Sequence, residues 1–413
     1  MQPEDAEPDE AAVRTLVAHL GAAMVGTGQP VHEIEQELAE VAARWGYPEL
    51  QVGAAPTSLT FSLSSGASST FQRVSGGLSL DQAADVRRIR HLLVFGDLGV
   101  GEALDELASL RRRAGPYPSW LTQPAYVVVC LGIALILQPG WANLVVVCGC
   151  GVVVVALLAL ARRFRVLSTL LPTVAAFIVT AIVFGLADAG VVQGPLRTVL
   201  PPLAALLPGA LIVTGMSELA AAHMQAGASR LVYGMVQLGL FALGLVAATT
   251  LLRVPDAQLV NLRVDELGWF AAPVGLLLIA VGISLMENVP MRMAPWVLLV
   301  LVLAFAAQST GQLAGSSALG GFLGAVAASL GATAVELFRP RLARLVLFLP
   351  AFWLLVPGSL GLLGVTQLVA EQPAVLAAGV DIAGVVCAIA LGLLFGSAIG
   401  EALRRRVRPD PLA

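Results

Sequence analysis

The sequence predicts a polytopic α-helical membrane protein: ten transmembrane helices as two inverted five-helix repeats, plus an N-terminal cytoplasmic α+β domain. Three observations predict it. First, residues 123–403 are almost continuously apolar and only 12% of the chain is charged, against roughly 25% in soluble domains. Second, the stretch Leu207–Leu219 (LPGALIVTGMSEL) recurs as Val356–Leu368 (VPGSLGLLGVTQL), 149 residues later. Third, the arginines divide unevenly between the loops on the two sides of the predicted spans.

The N-terminal part has a different texture. Residues 1–11 are acidic and proline-rich and read as a disordered tail, not a signal peptide. Residues 12–113 form the α+β domain. Ala11–Thr27 places Val13, Leu16, Val17, Leu20 and Met24 on one helical stripe. Gly28-Gln29-Pro30 breaks that helix, and Val31–Trp45 forms a second with Ile34, Leu38 and Val41 on its apolar face. Val52–Ser64 has the composition of a strand with Thr70–Val74 as its hairpin partner, and helices follow at Asp81–Phe95 and Gly101–Arg113. Residues 114–122 are a linker.

Ten spans are predicted near 123–139, 142–161, 166–187, 199–216, 230–252, 268–286, 294–310, 313–335, 343–364 and 375–400. They group as a first repeat over 123–253, an extracellular loop over 254–267, a second repeat over 268–403 and a basic tail over 404–413. With the N-terminus inside, fifteen arginines fall in inside loops and three (Arg197, Arg253, Arg263) outside. The positive-inside rule expects that asymmetry, so both termini are read as cytoplasmic. The 149-residue offset also pairs Trp120 with Trp269 and Pro201 with Pro350. An odd number of spans per unit makes the second copy enter the membrane from the opposite side.

In both copies of the repeated stretch, Pro-Gly interrupts a span. A helix broken in hydrocarbon frees backbone N–H and C=O groups that must find partners, and a zwitterionic substrate supplies both kinds. Inverted repeats with helices broken at matching places point to alternating access. The substrate-lining candidates are Pro208, Gly209, Thr214, Ser217 and Glu218, with Pro357, Gly358, Thr366 and Gln367 in the second copy. Carboxylates inside spans are costly and rare. Asp381, deep in the tenth span, and Glu218, in the repeated stretch, are the candidate proton-coupling groups. Glu287, Glu336 and Glu401 lie beside arginine-bearing inside segments and read as interfacial ion pairs.

Other chemistries find less support. No Walker, G-x-S-x-G, H-E-x-x-H or G-x-G-x-x-G pattern occurs, so neither ATP-driven transport nor a cofactor is implied. Cys130, Cys148, Cys150 and Cys387 lie in apolar runs and read as packing residues, with no metal site. A net charge of −3 gives no reason to invoke nucleic acid. The partners are the bilayer, protons and a small molecule, and a homodimer is compatible with the pattern.

The sequence resembles the threonine/serine exporter family of bacteria and fungi. The resemblance lies in an apolar helix followed by Gly28 and, seven residues on, Glu35; in Pro56-Thr57-Ser58-Leu59-Thr60 before a strand; in Arg73-Val74 closing a hairpin; in Glu102-Ala103-Leu104 and Leu107; and in Leu207-Pro208-Gly209. Gln29-Pro30 replaces the small Ala-Ser pair that the family's pattern leads one to expect after the glycine. Spans six to ten resemble the family's companion C-terminal module, so the likeness runs over about residues 12–400. It implies export of L-threonine and L-serine across a bacterial plasma membrane, driven by the proton gradient. The rivals are a dicarboxylate exporter of the succinate type, as in related two-protein systems, a membrane-anchored hydrolase using the cytoplasmic domain, and a bare channel.

Overall fold

The computed structural model describes residues 9–74, 76–110, 112–113, 115–259, 261–338, 344–356 and 375–407. The N-terminal domain comprises α1 (Glu10–Gly26), α2 (Val31–Arg44), β1 (Gln51–Ala55), β2 (Ser58–Ser62), β3 (Thr70–Arg73), α3 (Leu80–Phe95) and α4 (Val100–Leu110). The expected apolar stripe of α1 is buried, and with Leu38, Leu59, Phe61, Ile89 and Leu93 it forms a core separate from that of the membrane helices. Gln82 accepts a hydrogen bond from the Ser79 N–H to start α3, and left-handed Gly96 (φ 77°) ends it.

The strand region corrects the sequence reading. Val52–Ser64 is not one strand. Pro56, which has no N–H to give a ladder, forms a two-residue turn with Thr57, and 51–55 folds back on 58–62. Gln51 pairs with Ser62 and Ser58 with Arg73, which gives an antiparallel sheet in the order β1-β2-β3.

The apolar part forms α5 (Ser119–Leu137), α6 (Trp141–Ala161), α7 (Arg165–Asp188), α8 (Pro195–Leu203), α9 (Gly209–Ala220), α10 (Met224–Leu251), α11 (Ala271–Met286), α12 (Ala294–Ala314), α13 (Ser317–Phe338), α14 (Arg344–Val356) and α15 (Val375–Val407). Among the described residues, eight helices are long and apolar enough to cross a membrane, and nine spans result if the bent pair α8–α9 is one. The chain is a polytopic helical membrane protein. The remaining expected span, 343–364, is described only as far as 356. The first span begins at Ser119, four residues before its expected start, and carries Pro124 inside the helix.

Backbones approach closely where glycines face each other. A Cβ on Gly132 of α5 would lie 2.7 Å from the Gly275 carbonyl oxygen of α11, and one on Gly275 would lie 2.6 Å from that of Gly132. Farther along the same seam Gly282 packs on Val129 and Ala125. Small residues at such seams are how helices gain contact in lipid, where no hydrophobic force draws them together. A related close approach recurs: Gly244 of α10 sits against the Thr173 carbonyl of α7, and Gly392 of α15 against the Phe322 carbonyl of α13.

The connections sort to two ends of the bundle. At one end Gln138 donates to the Gln193 and Gly194 carbonyls and accepts from the Val264 N–H, while Arg197 donates to Asn261. At the other end the N-terminal domain sits. Leu80 packs with Val289, Met293 and Val346, and the Tyr117 hydroxyl bridges the Val289 carbonyl and the Met291 N–H.

Two tests follow from this packing. Gly132→Leu has no room at the α5–α11 seam and is expected to cost about 1–3 kcal/mol or more, read as an earlier thermal unfolding transition in detergent than for the wild type. In the N-terminal domain, burial outweighs the nearby Arg90 and Arg87 and holds the Glu37 carboxyl above its usual range. A carboxyl raised on folding stabilises the fold when protonated and loses that contribution as pH rises through its folded value. Glu37→Gln is therefore expected to match the wild type in acid and to unfold at a higher temperature than the wild type in mild alkali. Equal or lower stability in mild alkali contradicts the assignment.

Candidate functional site

The interrupted span is built by its prolines. Pro201 and Pro202 lie inside α8 and cannot donate to the carbonyls four residues earlier, those of Arg197 and Thr198. The helix tightens to a 3-10 turn at Ala204–Leu206, Leu207 is extended, and α9 restarts at Gly209 after a bend of 64°. The loosened backbone finds partners locally: the Leu207 N–H donates to Ala204 O at 3.3 Å and Ile212 to Pro208 O at 3.1 Å. One partner comes from another helix, since the Tyr126 hydroxyl of α5 donates to Pro202 O at 2.8 Å, fully inside the bundle.

Beside the break is a narrow crevice with room for about one water molecule. Tyr126 and Cys130 of α5, Ala204 and Ala205 of the 3-10 turn, Met286 at the end of α11 and Trp353 of α14 line it. None of its lining residues is charged. By the 149-residue offset, Trp353 corresponds to Ala204 and Pro350 of α14 to Pro201. Both proline-bearing helices therefore line the cleft, α8 with Pro201 and α14 with Trp353.

The expected site residues are distributed unevenly around this break. Pro208 and Gly209 form it and are buried. Thr214 is half-buried one turn into α9, and its carbonyl accepts the Ser217 hydroxyl at 2.8 Å. Pro357, Gly358, Thr366 and Gln367 lie outside the described residues. Asp381 is on α15, with its side chain outside the description. Cys130, Cys148, Cys150 and Cys387 are free thiols, and no metal-holding cluster occurs among the described residues.

Glu218 has a different neighbourhood from the one its span suggests. It is fully buried at the end of α9, where Oε1 accepts the Val31 N–H of α2 at 3.0 Å. Its Oε2 lies 3.3 Å from Nε of Arg230 on α10, close enough for an ion pair though not aligned as a hydrogen bond. Arg230 in turn donates to the Gln29 carbonyl at 3.3 Å. The carboxylate thus sits at the N-terminus of α2, where helix dipole and free N–H groups favour it. Next to it, His223 Nδ1 is 3.6 Å from Glu35 Oε2, and Glu35 accepts the Ala54 N–H of β1. The rings of His223 and His32 are 5.7 Å apart. The Gly28-Gln29-Pro30 turn of the N-terminal domain is therefore held by the α9–α10 turn.

A second bridge joins the domain to the other half of the chain. Arg87 of α3 pairs with Glu336 at the end of α13, and Arg404 of α15 approaches the same carboxylate at 3.8 Å. The ion-pair reading of Glu336 was therefore correct. Glu287, at the end of α11, has its carboxyl raised by burial and by the nearby Asp81. The sequence reading missed Arg230 and Arg87, although two opposite charges, Glu218 and Arg230, flanking one short turn between apolar helices were a usable signal. Tyr126 and Trp353 had none.

Removing one partner of a buried pair strands the other charge, typically at about 3–5 kcal/mol. Glu218→Ala is expected to release the N-terminal domain and expose the linker at Arg112 and Arg113 to trypsin, with protection restored in part by Glu218→Leu combined with Arg230→Met. Wild-type resistance in the single variant contradicts this role.

Comparison with known proteins agrees with these features. Residues 15–252 match the family model described as "Putative threonine/serine exporter". The chain is similar to the pheromone-regulated membrane protein 10 of Candida albicans, in strains WO-1 and SC5314, at 26% identity over 175 residues. That alignment takes in 40% of this chain but only 15% of each relative's length. No solved structure matches. The family match spans more than half of the chain, from the first helix of the N-terminal domain through the broken span to the end of α10, and the chain belongs to the threonine/serine exporter family.

Proposed function

We propose that the protein is a secondary active exporter of small amino acids, L-threonine and L-serine, driven by the proton gradient through alternating access around its broken helices. The observation that carries this reading is the 64° break at Leu207-Pro208 within a family of exporters. An interrupted helix offers half-helix termini, and such groups suit a zwitterion.

Several features support two inverted repeats. α5, α6, α7, α8 and α10 have counterparts α11, α12, α13, α14 and α15 at nearly the same offset, and the α7–α10 glycine contact has its equivalent between α13 and α15. The α5–α11 seam joins the first helix of one half to the first helix of the other. On this reading the halves rock about that seam and the cleft opens to each side in turn. Asp381, on α15, carries the coupling proton. Glu218 is given the role of holding the N-terminal domain, since it already meets the Val31 N–H and Arg230.

The N-terminal domain, and with it both termini, lies in the cytoplasm of a bacterial cell. Two arginines of the expected inside segments lie at its contacts, Arg230 on the Gln29 carbonyl and Arg404 beside the Glu336 carboxylate that Arg87 meets. The domain touches both halves of the bundle.

Counterflow in proteoliposomes tests the reading. Labelled threonine and serine are expected to exchange, faster with an imposed pH gradient, while succinate is not. Succinate exchange without threonine moves the substrate to the dicarboxylate class, and no exchange of either kind removes the transport reading. Gly209→Leu and Gly358→Leu are each expected to abolish exchange with membrane insertion intact, whereas wild-type exchange in both contradicts a path through the breaks.

A further inference from the structure

The turn between α6 and α7 carries charge that the fold leaves unspent. Arg162, Arg163 and Phe164 form the turn, Arg165 opens α7, and all four are exposed. Their backbone is satisfied locally. The Arg163 and Phe164 N–H groups donate to the Leu160 carbonyl, and the Ser168 and Thr169 hydroxyls donate to that of Arg165. The guanidinium groups have no such partners. The sequence holds no Asp or Glu from residue 107 through residue 187, and among the described residues no carboxylate pairs with these three arginines. Other arginines are spent within the protein: Arg113 on Asp85, Arg230 on Glu218 and Arg404 beside Glu336.

The fold fixes what lies beside the turn. α6 starts and α7 ends near the Gln138–Gln193 contact, so the turn that joins them lies at the opposite end of the bundle, the end with the N-terminal domain. Both helices are long and apolar enough to cross a membrane. The side chains next to the arginines, Leu160, Phe164, Val166 and Leu170, are apolar and exposed. A turn with apolar flanks and a cationic tip belongs at the boundary between hydrocarbon and headgroups.

We propose that this turn binds anionic phospholipid, with Arg162, Arg163 and Arg165 on the headgroup phosphates and Phe164 and Val166 against the acyl chains. The proposal uses the membrane fold alone and does not depend on what the protein transports. Guanidinium suits the partner, because it is planar, permanently charged and forms paired hydrogen bonds with phosphate oxygens. A zwitterionic headgroup brings its own cation beside the phosphate, and an anionic one does not. Three uncompensated arginines within four residues therefore select the lipid with net negative charge. A free phosphate ion meets the arginines but leaves the apolar flanks in water, so the lipid is the better complement.

The test follows thermal unfolding of the purified full-length protein in neutral detergent as phosphatidylglycerol is added. Phosphatidylcholine with the same chains and inorganic phosphate are run in parallel. A ligand that binds the folded state raises the transition as it fills its site. Wild type is expected to respond to phosphatidylglycerol at concentrations where the other two have no effect. Combining Arg162→Gln, Arg163→Gln and Arg165→Gln is expected to raise the phosphatidylglycerol concentration needed by at least about ten-fold, since each arginine near an anionic surface is worth roughly five-fold in affinity. Combining Arg112→Gln, Arg253→Gln and Arg292→Gln removes the same charge from three likewise exposed but scattered positions, and is expected to keep the wild-type response. The response is read as the rise above each variant's own lipid-free transition, so a change in stability does not enter it. The proposal is overturned if phosphatidylglycerol and phosphatidylcholine act alike on wild type, if phosphate alone reproduces the rise, or if both triple variants lose the response equally.

Discussion

A peptide group cut loose inside hydrocarbon must find a partner, and the region around α8 and α9 is arranged around that requirement. After two consecutive prolines, a 3-10 turn and Pro208 take residues 204–208 out of the α-helical ladder. A soluble protein would hydrate them. Here the neighbouring helices answer instead: α5 contributes Tyr126, and the proline-bearing α14 brings Trp353 alongside. α5 can come near enough because Gly132, Gly275 and Gly282 let it lie against α11 backbone to backbone. Break, seam and cleft are thus one arrangement, and a change in any of them reaches the others.

The N-terminal domain depends on a second electrostatic requirement. Glu218 and Arg230 are charges removed from water, tolerable only because each also bonds backbone of the N-terminal domain, the Val31 N–H and the Gln29 carbonyl. Arg87 and Glu336 do the same for the other half. The docking is not relaxed, however. Ala222 (φ 67°) and Asn288 (φ 59°) take the left-handed conformation that residues with a Cβ avoid, and both lie in turns at the docked face. His32 Nδ1 and Asn288 Oδ1 are buried there without a hydrogen-bond partner. Such unspent interactions make separation of the domain from the bundle less costly than its buried charges alone suggest.

Much of this was legible in the residues, for definite reasons. Long apolar runs reveal spans because each must satisfy its own backbone in lipid. Pro208-Gly209 revealed the break because proline and glycine act on the chain locally. Periodicity at Val13–Met24 gave α1, while the single strand read over Val52–Ser64 failed because composition shows strand tendency but Pro56 decides where the strand turns. The partner of Glu218 was not legible because a carboxylate in a span announces its cost and not its partner, and Val31 is 187 residues away. Tyr126 was invisible because a lone tyrosine in an apolar helix reads as packing until the carbonyl it serves is known. The second copy of the repeated stretch, with Pro357 and Gly358, lies outside the described residues.

On the proposed mechanism the cleft beside the broken helix faces each side of the membrane in turn. The most direct measurement places one cysteine there, as Ala205→Cys, in a chain whose four native cysteines have been replaced. Its labelling by a membrane-impermeant thiol reagent is then followed from each side of sealed vesicles while exchange proceeds. Labelling from both sides, each reduced by saturating threonine, is the predicted result. Labelling confined to one side under every condition contradicts it.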